Sequence, residues 1–152
     1  MGDKNDFFVA LSECHMFGDI SELMYYPDVR RWWESVEGVM RAWSGRSLLH
    51  GEFPAPRAEN LIKYMDEAGV DVAFALREPM MDVFGGAACM STNGFILKEI
   101  EPYPDRMYLE CNVGPILRRG VKHAIWELEY LVKERNAKLC KIYQCEDIGP
   151  LN

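Results

Sequence analysis

Arg57–Leu76, RAENLIKYMDEAGVDVAFAL, is the stretch that decides the fold. Leu61, Ile62, Met65 and Ala68 recur at spacings of 3 and 4, the period of a helix with one buried face, and Gly69 stands where a left-handed C-terminal cap stops such a helix. Val70 to Leu76 is then nearly continuous in apolar residues, as in a parallel strand covered on both faces. Outward in both directions the pattern repeats. Phe7–Leu11, Arg106–Val113 and Ala137–Tyr143 have strand composition. Asn93–Ile100 reads as a helix ended by Pro102 and Pro104. Gly120–Asn136 reads as a longer one, with Val121, Ala124, Ile125, Leu128 and Leu131 or Val132 on one face. Strands alternating with helices predict the α/β class, built of parallel β/α units joined by right-handed crossovers.

Residues 16–56 break the rhythm, roughly 40 residues where a βα connection usually takes 2 to 6. The insertion contains a predicted helix, Pro27 to Trp43, with a proline in its first turn. Val29, Trp32, Trp33, Val36, Val39, Met40 and Trp43 form an apolar stripe expected to pack against a pocket mouth or a neighbouring subunit. No linker or repeat divides the chain, so residues 1–152 read as part of a single domain. The last strand is followed by Gly149-Pro150-Leu151-Asn152 with no helix to cover it, an expectation of a fold that continues beyond this chain.

The chain has 152 residues, with 17 Lys and Arg against 24 Asp and Glu, a net charge of −7, and 49% hydrophobic residues. That is enough apolar material for one core, and the acidic balance argues against nucleic-acid or polybasic membrane surfaces. No apolar run approaches the roughly 20 residues of a membrane span, and MGDKNDFF lacks the layout of a signal peptide, so a cytoplasmic protein is expected. Cys14, Cys89, Cys111, Cys140 and Cys145 are scattered, with no C-x-x-C pair; they read as reduced, mostly buried thiols.

Glu13-Cys14-His15, directly after the first apolar run, is the sharpest chemical feature. Residues two apart in an extended chain face the same side, so Glu13 and His15 converge while Cys14 points away. A carboxylate and an imidazole suit a divalent Zn, Mn or Fe ion, although a closed site needs three or four ligands. Arg77 could bind a substrate carboxylate or pair with Glu78 at the rim. Glu110 and Asn112, two apart near the end of the third strand, could face a pocket or sit solvated at its edge. Asn93 reads as a helix N-cap, Gly85-Gly86 as a flexible loop, His123 as a surface residue, and His50 has no partner at ligand spacing.

Val9-Ala10-Leu11-Ser12-Glu13-Cys14-His15 resembles the opening strand of the amidohydrolase superfamily, in the branch containing aminocarboxymuconate-semialdehyde and resorcylate decarboxylases. Met65-Asp66-Glu67-Ala68-Gly69-Val70-Asp71 is similar to that branch's junction into strand two. Asn93-Gly94-Phe95 followed by Tyr103-Pro104-Asp105-Arg106 is similar to its route into strand three, and Ala137 to Tyr143 to its strand four. The resemblance implies a (β/α)8 TIM-type barrel, of which this chain supplies the first half. It also implies one divalent metal held by Glu13 and His15 with a histidine after strand five and an aspartate after strand eight, both beyond residue 152. The implied activity is nonoxidative decarboxylation or hydrolysis of a small carboxylated substrate, with Arg77, Glu110 and Asn112 as candidate substrate contacts. Lys141 invites comparison with the carboxylated strand-four lysine of two-metal relatives, but reads as lying inside the apolar run rather than at its tip. The alternative is a catalytically silent half barrel that needs a partner, either a homo-oligomer or a missing C-terminal half.

Overall fold

Ala73, Ala75, Leu109 and Cys111 are small or apolar residues at alternate positions of two strands. All four are buried on the face that the helices cover. They belong to a four-stranded sheet that a computed structural model describes within residues 7–17, 27–45, 56–77 and 91–143. The strands are β1 (Ala10–His15), β2 (Val72–Leu76), β3 (Met107–Asn112) and β4 (Leu139–Lys141). They are parallel and lie in the order β1-β2-β3-β4. Between β1 and β2 come α1 (Pro27–Ser44) and α2 (Ala58–Ala68); α3 (Asn93–Ile100) leads into β3; α4 (Ile116–Arg119) and α5 (Val121–Lys133) lead into β4. Parallel strands adjacent in both sequence and space are the mark of successive β/α units, and the α/β class expected from the alternation holds.

Local chemistry explains the helix ends. Gly69 takes a φ of 70°, and its N–H donates to the Met65 carbonyl, the left-handed cap that the sequence pattern predicts. The other end of α2 has no side-chain cap of its own. Glu99 of α3 fills the role: its Oε2 accepts from the Ala58 N–H at 3.3 Å, while both of its oxygens bind the Arg57 guanidinium at 2.7 and 2.5 Å. For α3 the N-cap is Thr92, whose Oγ1 accepts from the Phe95 N–H, and not Asn93. Asn93 thereby becomes the first residue of the helix, and its side chain turns inward.

Most bounds differ somewhat from those read in the sequence, β2 and β3 being two residues shorter each, and three differences change the placement of residues. β1 runs Ala10–His15 rather than Phe7–Leu11, because backbone pairing with Val72–Leu76 continues through the polar residues that ended the apolar run. β4 is limited to Leu139–Lys141, so Lys141 ends its strand instead of lying within it. The short α4 precedes the long helix expected at 120–136. The expected helix in the insertion is present as α1. The side chains of Trp32, Trp33 and Trp43 lie outside the described residues, as do Glu78, Gly85, Gly86, His50, Cys89 and Cys145. Among the described residues no helix is long and apolar enough to cross a membrane.

Register sets which residues share a face. Ala73, Ala75, Met107, Leu109, Cys111 and Val113 point to the helices, where Ile96, Ile100, Ala124 and Leu131 cover them. In β1 the partners are Leu11↔Ala73 and then Cys14↔Ala75, three residues against two, so one extra residue bulges from the strand. Both Leu11 and Cys14 are thus in register with helix-facing alanines, and Glu13 and His15 fall on the opposite face, with Leu76, Glu110, Asn112 and Lys141.

Truncating Leu109, 2% exposed, is expected to cost about 2–5 kcal/mol, since a cavity is left under α3 and α5. Ile125→Ala, at a position 53% exposed on α5, is expected to stay within about 0.5 kcal/mol of the parent. Urea unfolding midpoints of the two variants test which face forms the core.

Candidate functional site

At the C-terminal ends of the strands, on the face away from the helices, polar side chains from β1, β3 and β4 meet. Glu13 is their centre. Its Oε1 lies 3.0 Å from His15 Nε2, and its Oε2 accepts from Lys141 Nζ at 2.8 Å. The Tyr143 hydroxyl stands 3.2 Å from His15 Nε2, and Lys141 Nζ lies 5.3 Å from the centre of the Tyr143 ring. The Lys141 ammonium, helped by His15, holds the Glu13 carboxyl below its ordinary range despite partial burial. Glu13 is therefore a carboxylate at neutral pH.

Glu110 is in the opposite condition. It is buried near the end of β3, and its Oε2 has no hydrogen-bond partner among the described residues. Burial first, and the negative charge of Glu13 second, push its carboxyl above the usual value, against a smaller pull from Lys141 and His15. Two carboxyl groups on one concave face are thus driven apart in acidity by their surroundings.

Asn112 and Arg77 form a tighter assembly beside them. The Arg77 guanidinium, with the residue only 6% exposed, donates to the Asn112 carbonyl at 3.0 Å, to Asn112 Oδ1 at 3.0 Å and to the Gly114 carbonyl at 2.5 Å. The Gly114 N–H also donates to Asn112 Oδ1. From α3, Asn93 accepts from the Asn112 N–H and donates Nδ2 to both the Asn112 carbonyl and Glu127 Oε1. Glu127 of α5 is ion-paired with Arg119. Asn112 Oδ1 is consequently saturated, while its buried Nδ2 has no acceptor among the described residues.

Of the residues singled out in the sequence, Glu13 and His15 are brought together. Glu110 and Asn112 flank them on the same face, and Arg77 is committed to the end of β3. His123 is exposed on α5, stacked on Trp126. Lys141 and Tyr143 are the contributors that the sequence undervalued. Their spacing of two, the same as that of Glu13 and His15, is the signal that could find them, but it has meaning only once β4 is known to end at Lys141. Cys14 is buried and its thiol is pushed up to about 11 by desolvation; Cys111 is buried, and Cys140, against expectation, is exposed.

Two ligand atoms about 2.1 Å from one ion and roughly a right angle apart are about 3 Å from each other. The 3.0 Å between Glu13 Oε1 and His15 Nε2 meets that condition for one edge of a coordination shell. Among the described residues no three His, Cys, Asp or Glu side chains are grouped to hold a metal ion.

An acid whose pKa rises on folding holds its proton more tightly in the folded state, so the stability it subtracts grows as pH climbs above its ordinary value of 4.5. Glu110→Gln is expected to be more stable than the parent at pH 7, with the gap closing as pH falls below 4.5. Urea midpoints of both proteins across that range test it; a gap independent of pH would contradict the burial of a charge at this position. Set beside known proteins, the chain matches no family model and no curated protein.

Proposed function

We propose that this chain forms the first half of a TIM-type (β/α)8 barrel enzyme related to the metal-dependent amidohydrolases, acting on a small carboxylated substrate by decarboxylation or hydrolysis. The observation that carries the reading is the pairing of Glu13 Oε1 with His15 Nε2 at 3.0 Å, at the C-terminal end of the first of four parallel strands. In parallel α/β architectures ligands bind beyond the carboxyl ends of the strands. The concave face there carries Glu13, His15, Glu110 and Lys141, whereas the helix face is closed by apolar packing.

Glu13 and His15 would hold a divalent Zn, Mn or Fe ion, with the remaining donors coming from outside the described residues. Such an ion supplies Lewis-acid chemistry, polarising a substrate oxygen or lowering the pKa of water. The chain's own residues have separable tasks. Lys141 keeps Glu13 ionised, and the Tyr143 hydroxyl steadies the His15 ring. Asn112 Nδ2 is the buried donor that fits a substrate carboxylate oxygen. Arg77 acts through it by fixing Oδ1, and so orients the amide. Glu110, held toward its neutral form, can donate a proton to the concave face.

The assembled protein is expected to carry about one divalent ion per barrel, and Glu13→Ala/His15→Ala to lose it, because removing two of four donors leaves no closed chelate. Elemental analysis of both proteins after dialysis tests this. Unchanged metal content in the double variant would overturn the assignment.

A second reading, a half barrel completed by another copy, is favoured by the sheet edges. β1 and β4 are the two edges among the described residues, and Phe7, Phe8, Leu139 and Ile142 beside them are exposed. In a two-fold dimer β4 of each copy pairs with β1 of the other, and the two Glu13–His15 pairs face one site. Sedimentation of the chain alone is then expected to give a dimer with one ion for two chains, and a folded monomer counts against it.

A further inference from the structure

Cys111 of β3 and Cys140 of β4 are direct register partners in neighbouring parallel strands. Neighbouring strands run about 4.8 Å apart, inside the Cα separation of about 4.4–6.8 Å that a disulfide accepts. Parallel register also sends the two Cβ atoms to the same side of the sheet. Their burial is unequal. Cys111 is fully buried in the core under α5, and Cys140 is exposed on the edge strand.

We propose that Cys111 and Cys140 form a dithiol site that exchanges with small disulfides and closes into a disulfide joining β3 to β4. Sγ of Cys140 lies 3.9 Å from the Lys141 carbonyl, at the solvent side of the strand pair. The Cys140 side chain beside it and burial both push the Cys111 thiol up, and the Cys111 side chain draws the Cys140 thiol below its ordinary range. Cys140, the thiol that solvent reaches, is the attacking group, and the buried Cys111 is the resolving thiol.

With glutathione disulfide as the reactant, the Cys140 sulfur attacks one sulfur of the disulfide. The S–S bond breaks, and one glutathione leaves as a thiolate that takes up a proton. Cys111 then passes its proton to the second glutathione as its sulfur displaces that group from Cys140. Two protein thiols are oxidised, one disulfide is reduced to two thiols, and the atoms balance. The new bond lies one residue before Lys141, so it staples the three-residue β4 at the position from which Lys141 reaches Glu13.

The test equilibrates the folded, full-length chain over a series of glutathione to glutathione disulfide ratios, alkylates free thiols, digests with trypsin and weighs the peptides. The expected result is the Leu139–Lys141 peptide joined to Met107–Arg118 with the loss of two hydrogens. The product rises with the disulfide fraction and reverses with dithiothreitol. Cys111→Ser is expected to halt at glutathionylated Cys140, and Cys140→Ser to give no joined peptide. The proposal is overturned if Cys140 of the parent stays glutathionylated while Cys111 is alkylated. It is equally overturned if both remain alkylatable at every ratio, or if Cys140 links to Cys14, Cys89 or Cys145 instead. The parent protein alone decides among these outcomes should either variant fail to fold.

Discussion

Glu13 and Lys141 lie on the two edge strands of a four-stranded sheet, and they touch. Edge strands three spacings apart stand about 14 Å from each other in a flat sheet, close to the full combined reach of a glutamate and a lysine. Tyr143 and His15 make a second contact across the same span. Two such bridges on one face need a sheet curled toward that face, and the twist natural to parallel strands supplies the curl. The curl lets four strands bring their C-terminal residues to one place. It also leaves the convex side to the helices.

The two ends of the sheet are held by different chemistry. At the N-terminal end Arg106 donates to the Asp71 and Val70 carbonyls and pairs with Asp66, while Asp71 Oδ2 accepts from the Val9 N–H at 2.7 Å. These bonds knit the α2–β2 junction to the turn before β3 and to the start of β1, and they use up the polar groups they involve. At the C-terminal end the chain Arg119–Glu127–Asn93–Asn112–Arg77 stiffens β3 from α5, α3 and β2 in turn. It stops short of saturation. Asn112 Nδ2 and Glu110 Oε2 remain buried and without partners among the described residues. Polar groups left unpaired inside a rigid frame cost stability where they stand, and such groups collect where a ligand is to be bound.

Much of the frame was legible in Arg57–Leu76 and its repeats. The helix period, the glycine stop and the continuous apolar strand each have a local physical cause, so α2, β2 and the α/β alternation follow from nearest neighbours in sequence. The convergence of Glu13 with His15 was legible for the same reason, a strand's period of two. Lys141 and Tyr143 were undervalued because a strand's end is set by where its neighbour stops pairing, and β3 lies about 30 residues earlier in the chain. A helix start favours asparagine, so the sequence alone points to Asn93 as the cap. Thr92 took the cap, and the burial of β3 gave Asn93 a different partner.

The face on which Glu13 stands belongs to tertiary structure alone. Strict alternation from Leu11 would put Leu11, Glu13 and His15 together on one side, and nothing local reveals an extra residue between Leu11 and Cys14. The bulge exists because β1 must keep both Leu11 and Cys14 in register with the helix-facing Ala73 and Ala75, and Cys14 packs there against Met65. Sequence by itself determined the alternation of helix and strand and the pairing of Glu13 with His15, since those depend on local period and residue type. Only the packing of β1 against β2 and α2 decided that the carboxylate and the imidazole face Lys141 and Glu110 rather than the core, because facing is a property of register between strands that lie far apart in the chain.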